Sequence, residues 1–175
     1  MVRWGPGVHQ QPIWNYRQQN GAPVSGVPGL VTPMTPLEIA GLVRPPYRTF
    51  PLADHLADKL CAIIGTYRAG QSARSSSRIK DLVDIALIAS TQRVSGQAQR
   101  SAIIANTAHR GLAIPDTFAV PDEAPWRRGY PKVAADVPGT APTFDEAVAL
   151  ANALLDPVLA APVDGEWDPT VRSRI

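Results

Sequence analysis

Four charged residues between Tyr47 and Ala89 stand where water alone does not account for them: Lys59, Arg78, Asp81 and Asp84. Two cations facing two carboxylates can do one of two things. They can neutralise one another as an interior ion cluster. Alternatively, the cations can offset charge on a phosphoryl group while a carboxylate accepts a proton. Which applies depends on the elements that carry them.

Lys59 lies in PLADHLADKLCAI. Pro51 suits the first turn of a helix, where its missing N–H costs nothing. From there Leu52, Leu56, Leu60, Ile63 and Ile64 recur three and four apart, with Ala53, Ala57 and Cys61 widening the stripe. That is helical period. Asp54 and Asp58 fall on the far face and are expected in water, and Gly65 and Gly70 are the stop signals. Lys59 sits on the edge of the stripe, so a snorkelling lysine is the plain alternative to a functional one.

The other three charges lie in RIKDLVDIALIA, a second helix with Ser77 or Ser76 as N-cap. Ile79, Leu82, Val83, Ala86 and Ala89 make one apolar face, and Ile85 and Ile88 lie nearly opposite. Arg78, Asp81 and Asp84 run along that second side. A helix apolar on two sides is covered on two sides, so the acidic stripe is expected to face protein or a cleft. Carboxylates there need partners. A local Arg78–Asp81 pair is the structural alternative.

PLADHLADKLCAI followed by SSSRIKDLVDIALIA resembles two motifs of the AbiEii/AbiGii-type nucleotidyltransferase toxins. The family's Ala-(Asp/Glu)-Lys-Leu-x-Ala pattern stands here as Ala57-Asp58-Lys59-Leu60-Cys61-Ala62. Its Arg-x-(Lys/Arg)-Asp-x-x-Asp pattern stands as Arg78-Ile79-Lys80-Asp81-Leu82-Val83-Asp84. The resemblance runs from about Tyr47 onward and takes in TFDEAVALANALLDPVLAAPVDGEWDP. It implies catalytic roles for Lys59 and Asp81, nucleotide binding by Lys59 and Arg78, and support from Asp84 and Lys80. It also implies Mg²⁺ as cofactor, an NTP as donor, RNA (tRNA above all) as acceptor, and an antitoxin protein as partner. Arg68, Arg74, Arg127 and Arg128 are the candidates for RNA phosphates.

The resembled fold also has a Gly-Ser turn followed by a strand with two carboxylates one residue apart, which hold the metal. Nucleotidyl transfer uses such ions to neutralise charge and align the reacting oxygens. No such motif occurs in this sequence. Asp164-Gly165-Glu166, then Asp168, is the close acidic spacing, and its Pro/Gly-bounded setting reads as loop. The chain therefore resembles the second half of a catalytic domain, and the expectation is a truncated chain, inactive as written unless the metal-binding half is supplied. A domain lacking half its sheet is also expected to self-associate through exposed apolar faces.

The fold class expected is α+β, predominantly α-helical: the helical C-terminal part of a polymerase-β-like nucleotidyltransferase with short residual strands. Residues 1–28, rich in Gln, Gly and Pro around Trp4, His9 and Trp14, read as a flexible lead-in. Residues 29–160 read as the helical nucleotidyltransferase-like domain and 161–175 as a C-terminal tail. Within the domain, a strand is expected near Leu30–Thr32, a Thr35-capped helix at Pro36–Leu42, and a strand over Tyr47–Phe50. The basic, Ser- and Gly-rich stretch between the two motif helices reads as loop. Further helices are expected over Gly96–Arg110, with Ile103, Ile104 and Thr107 inward, and over Phe144–Leu155, capped by Thr143. Trp126, Arg127, Arg128, Tyr130 and Lys132 form a basic and aromatic cluster, either a helix turn anchored by its aromatics or an RNA-contacting patch.

Composition sets the outer bounds. A length of 175 residues with 45% hydrophobic content suffices for one core, while a net charge of +2 does not itself argue for nucleic acid. The single cysteine, Cys61, excludes an intramolecular disulfide and reads as a core residue. No apolar run reaches bilayer length and the N-terminus lacks a signal peptide's apolar region, so a cytoplasmic protein with no membrane partner is expected. Two readings stay open: a nucleotidyltransferase toxin of a toxin–antitoxin or abortive-infection system, and a non-catalytic remnant or interaction module that binds an antitoxin or a partner chain.

Overall fold

In the computed structural model, which describes residues 26, 29–31, 47–69, 72–75 and 77–175, the two motif segments are helices packed against each other. Most of the lead-in, the Thr35-capped helix and Gly70 lie outside the described residues. Helix α1, Leu52–Ile64, follows Pro51, and Leu56, Leu60 and Ile63 are its fully buried stripe. It stops at Gly65, whose extended backbone returns its N–H to Cys61 O. Asp54 departs from expectation. It is fully buried and accepts the Gly26 N–H at 2.9 Å. That approach needs a glycine, because a Cβ there would stand 2.7 Å from Pro51 Cβ.

The connection to the second helix is not featureless loop. Thr66–Ala69 (β3) and Ser72–Ser75 (β4) pair antiparallel, and the hairpin brings the chain back to start α2, Ile79–Thr91. Ser77 does not cap α2, and Ser76 lies outside the described residues. Arg78 is the N-cap, with no side-chain capping bond, and Ile79 N–H bonds Ser77 O. Leu82, Val83, Ile85, Ala86 and Ala89 are fully buried, so both apolar sides are covered as expected. Earlier in the chain, Gly29–Val31 (β1) pairs with Tyr47–Thr49 (β2).

Helix α3, Gly96–Arg110, packs on α1 through Gln99, Ala102, Ile103, Asn106 and Thr107. Ile104 does not turn inward. It is 47% exposed, one helical step off that stripe. Helix α4 (Glu123–Ala134) and helix α5 (Phe144–Ala160) cover the far side of α2. Thr143 and Glu146 form a reciprocal capping box on α5. The helix runs past Leu155 through Pro157, because Val158 and Leu159 are core residues and Arg100 Nη1 donates to both their carbonyls at 2.7 Å.

The acidic stretch near the C-terminus also differs from its loop reading. Glu166–Asp168 (β6) is the middle strand of a three-stranded antiparallel sheet, between Val94–Ser95 (β5) and Ser173–Arg174 (β7). Trp167 drives this. It is fully buried, and its Nε1–H donates to Ala89 O of α2 at 2.8 Å. Asp168 accepts the Thr170 N–H at 2.8 Å and pairs with Arg93. The Thr170 bond first, then Arg93, holds its carboxyl below the usual carboxylate range. A carboxyl lowered on folding stabilises the fold above its unfolded value of about 3.9, and loses that effect as pH falls through the folded value. Asp168→Asn should therefore flatten the acid limb. Its melting temperature should fall less than the wild type's between neutral pH and pH values of about 3, and parallel curves would show that the pair contributes nothing.

Candidate active site

Lys59 and Asp81 come together because two packed helices place them on facing stripes. Asp81, Asp84, Ile85 and Ile88 share the side of α2 turned to α1, and Lys59 projects from α1 toward them. Lys59 Nζ donates to Asp81 Oδ1 at 3.1 Å and also to Asp84 Oδ2. Lys59 does not snorkel: it is 8% exposed and Asp81 is 5% exposed. Arg78 completes the group, its Nε 2.6 Å from Asp81 Oδ2. Two cations thus balance two carboxylates, which is what burial of this cluster demands.

The four members are not equivalent. The Asp81 side chain is 7% exposed, while those of Asp84 and Arg78 are 26% and 58% exposed. Asp81 is the anchor, and the other two form a rim that water and ligands can reach. Asp81 Oδ2 is buried and faces the Arg78 guanidinium, whose side chain is itself 58% exposed.

The other candidates divide. Lys80, in the first turn of α2, is exposed. Arg68 and Arg74 fall on neighbouring rungs of the β3–β4 hairpin, whose register pairs Tyr67 with Arg74 and Arg68 with Ala73. Arg127 donates to Asp145 at 2.5 Å and to Glu123 at 3.2 Å, and lies 4.8 Å from the Phe144 ring centre. Those acids, Asp145 first, raise its pKa. Arg128 is exposed and outside that arrangement. The aromatics of the cluster are anchors: Trp126 and Tyr130 are buried, Tyr130 donates to Ala141 O at 2.9 Å, and burial raises its phenol's pKa. The sequence reading missed Trp167 as a prop of α2, although a tryptophan between alternating acids was a strand signal.

The described residues do not fit a divalent metal. No group of three His, Cys, Asp or Glu side chains converges among them, and where Asp81 and Asp84 approach each other the Lys59 ammonium stands between. Nor is any helix among the described residues long and apolar enough to cross a membrane.

A family model described as "Nucleotidyl transferase AbiEii toxin, Type IV TA system" matches residues 25–150, more than two thirds of the chain and all four members of the cluster. No curated protein and no solved structure matches the chain.

Proposed function

The chain belongs to the AbiEii family of nucleotidyl transferase toxins of type IV toxin–antitoxin systems, and from that premise we propose that it transfers a nucleotide from an NTP to RNA, tRNA in the first place. The observation that carries this reading is the asymmetry of the ion cluster. Its buried half, Lys59 with Asp81, is fixed, while its rim, Asp84 and Arg78, can exchange partners with an incoming triphosphate.

In this reading Lys59 exchanges Asp84 for a phosphate oxygen and offsets the charge that grows in the transition state. Arg78 moves onto the nucleotide phosphates and uncovers Asp81 Oδ2. That oxygen then accepts the proton of the attacking RNA hydroxyl as its oxygen bonds the α-phosphorus and pyrophosphate leaves. Lys80 and Asp84 support the rim. Nucleotidyltransferases generally use a divalent metal; with no fitting ligands among the described residues, each step here uses only the chain's own groups. The family also implies an antitoxin partner.

A second reading has one observation in its favour. Lys59 is already paired with two carboxylates, as a purely structural cluster would be. A non-catalytic module that binds an antitoxin or a partner chain would look the same at rest. Nucleotide transfer separates them. The purified chain, given each labelled NTP, Mg²⁺ and total tRNA, should label RNA with one NTP preferred. A folded chain that leaves every RNA unlabelled would favour the interaction module.

A further inference from the structure

We propose that Lys80, Arg128 and Lys132 form a cationic strip that holds the sugar–phosphate backbone of an RNA acceptor beside Lys59 and Asp81, an inference that rests on the functional reading above. The strip is made by one tertiary contact. Helix α4 approaches α2 at Gly129, where an added Cβ would stand 2.4 Å from Ile79 Cδ1. Only a residue without a side chain allows that approach undisturbed.

The buried side of α4 carries Trp126, Tyr130 and Ala134. Arg127 lies on the flank toward α5, where Asp145 meets it, and Gly129 lies on the opposite flank, against α2. Continuing away from the core, Lys132 comes about 60° and Arg128 about 100° beyond Gly129. On α2 the core lies mainly on the Leu82, Ala86 and Ala89 side of Ile79, and Val83, about 40° to the other side, is also buried, with Thr140 donating to its carbonyl. Lys80 lies about 100° from Ile79 in that other direction, with Asp84 next. The core closes one side of the α2–α4 contact and the Thr140 segment covers Val83, so the outward arcs of both helices meet solvent on the same side, around Lys80. Across that surface the order runs Arg128 and Lys132, then Lys80, then Asp84 with Lys59.

All three cations are exposed, and none makes an ion pair among the described residues. The acids one helical turn away, Asp84 for Lys80 and Asp136 for Lys132, do not pair with them, and the adjacent Asp81 is held by Lys59 and Arg78. Arg128 and Lys132 stand one turn apart, about 5–6 Å between Cβ atoms, where like charges repel. Arg127 next to them is matched by two carboxylates, so uncompensated charge is confined to the flank that leads to the site. A row of cations a helical turn apart suits a line of phosphates better than one compact triphosphate. The exposed large apolar side chains among the described residues are Ile104, Val171 and Ile175, none aromatic. The strip itself consists of cations, so it should hold RNA by phosphates, with little regard to sequence.

The test is the salt dependence of binding by the full chain, followed by anisotropy of a fluorescent tRNA. Each lost phosphate contact lowers the slope of log affinity against log salt by about 0.7–0.9. The triple variant Lys80→Gln/Arg128→Gln/Lys132→Gln should therefore lose about 2–3 from the slope and, at salt of about 0.1 M, at least about tenfold in affinity. The charge-keeping triple Lys80→Arg/Arg128→Lys/Lys132→Arg should bind like the wild type, which guards against a folding artefact. Unchanged slope and affinity in the glutamine triple would overturn the strip, as would loss of binding in both triples. Binding of polyglutamate but not RNA through these residues would overturn it in favour of a protein-docking face. Because the assay requires no turnover, a chain that binds tRNA through the strip yet transfers no nucleotide would refute the functional reading and leave the strip standing.

Discussion

Replacing Lys59 with methionine should cost about 3–5 kcal/mol of folding stability, and replacing Asp81 with leucine as well should restore most of it. The single change leaves the Asp81 carboxylate 5% exposed beside α1, with its Oδ1 donor gone and the solvent-exposed Arg78 guanidinium as its remaining cation. The double change removes the buried charges together and puts apolar volume in their place, and Asp84 can hydrate because its side chain is 26% exposed. Urea unfolding of the two variants beside the wild type measures the difference. The double variant is then the right protein for the transfer assay, because it is folded and lacks both groups. If Lys59 and Asp81 carry the chemistry, its rate should fall at least about a thousandfold, in line with losing a charge stabiliser and a general base. A folded double variant that still labels RNA would remove both residues from the mechanism. A single variant as stable as the wild type would show that water reaches Asp81 and that the cluster is not truly interior.

Trp167→Ala should be the most damaging substitution outside the ion cluster, at about 3–5 kcal/mol, or roughly 6–20 °C in melting temperature. The indole is fully buried, pairs across from Val94 in the sheet and donates to the last turn of α2. Trp167→Phe keeps much of the apolar contact and loses the hydrogen bond, so its cost should be about 1–2 kcal/mol, from the Ala89 carbonyl left without its donor. Hydrogen exchange should locate the damage. Amides in the C-terminal turn of α2 should open sooner in both variants, and those of α3 near Arg110 much less. An alanine variant that melts with the wild type would mean that the β5–β6–β7 sheet merely lies against α2 without supporting it. This prop stands beyond residue 150, where the family match ends, so the site helix depends on a segment outside the matched residues.

The two motif helices were legible because their signals are local. Apolar residues at helical spacing, Pro51 before α1 and the Thr143–Glu146 capping box each act within a few residues, and the chain obeys them. The two-sided burial of α2 was legible for the same reason, and it carried the correct inference that Asp81 and Asp84 meet protein. What was misread depended on partners distant in sequence. Asp54 looked solvated because nothing near it announces Gly26, whose N–H it accepts. Ile104 looked buried because it is apolar, but the face α3 turns to α1 is chosen by where α1 lies. Glu166–Asp168 looked like loop because its sheet partner is Val94–Ser95, across the whole of α3, α4 and α5.

By itself, then, the sequence determined the two motif helices as well as α3 and α5, which residues could do phosphoryl chemistry, and the family to which they belong, since periodicity, caps and motif spacing are short-range properties of the chain; α4, punctuated by prolines, read only as a helix turn. Tertiary structure alone decided that Lys59 is buried between two carboxylates rather than snorkelling, that Arg127 is bound to Asp145 while Arg128 stays exposed, and that α4 meets α2 at Gly129. Those outcomes turn on distances between helices, and such distances are fixed by packing at contacts like Ile79 with Gly129, which no local pattern encodes.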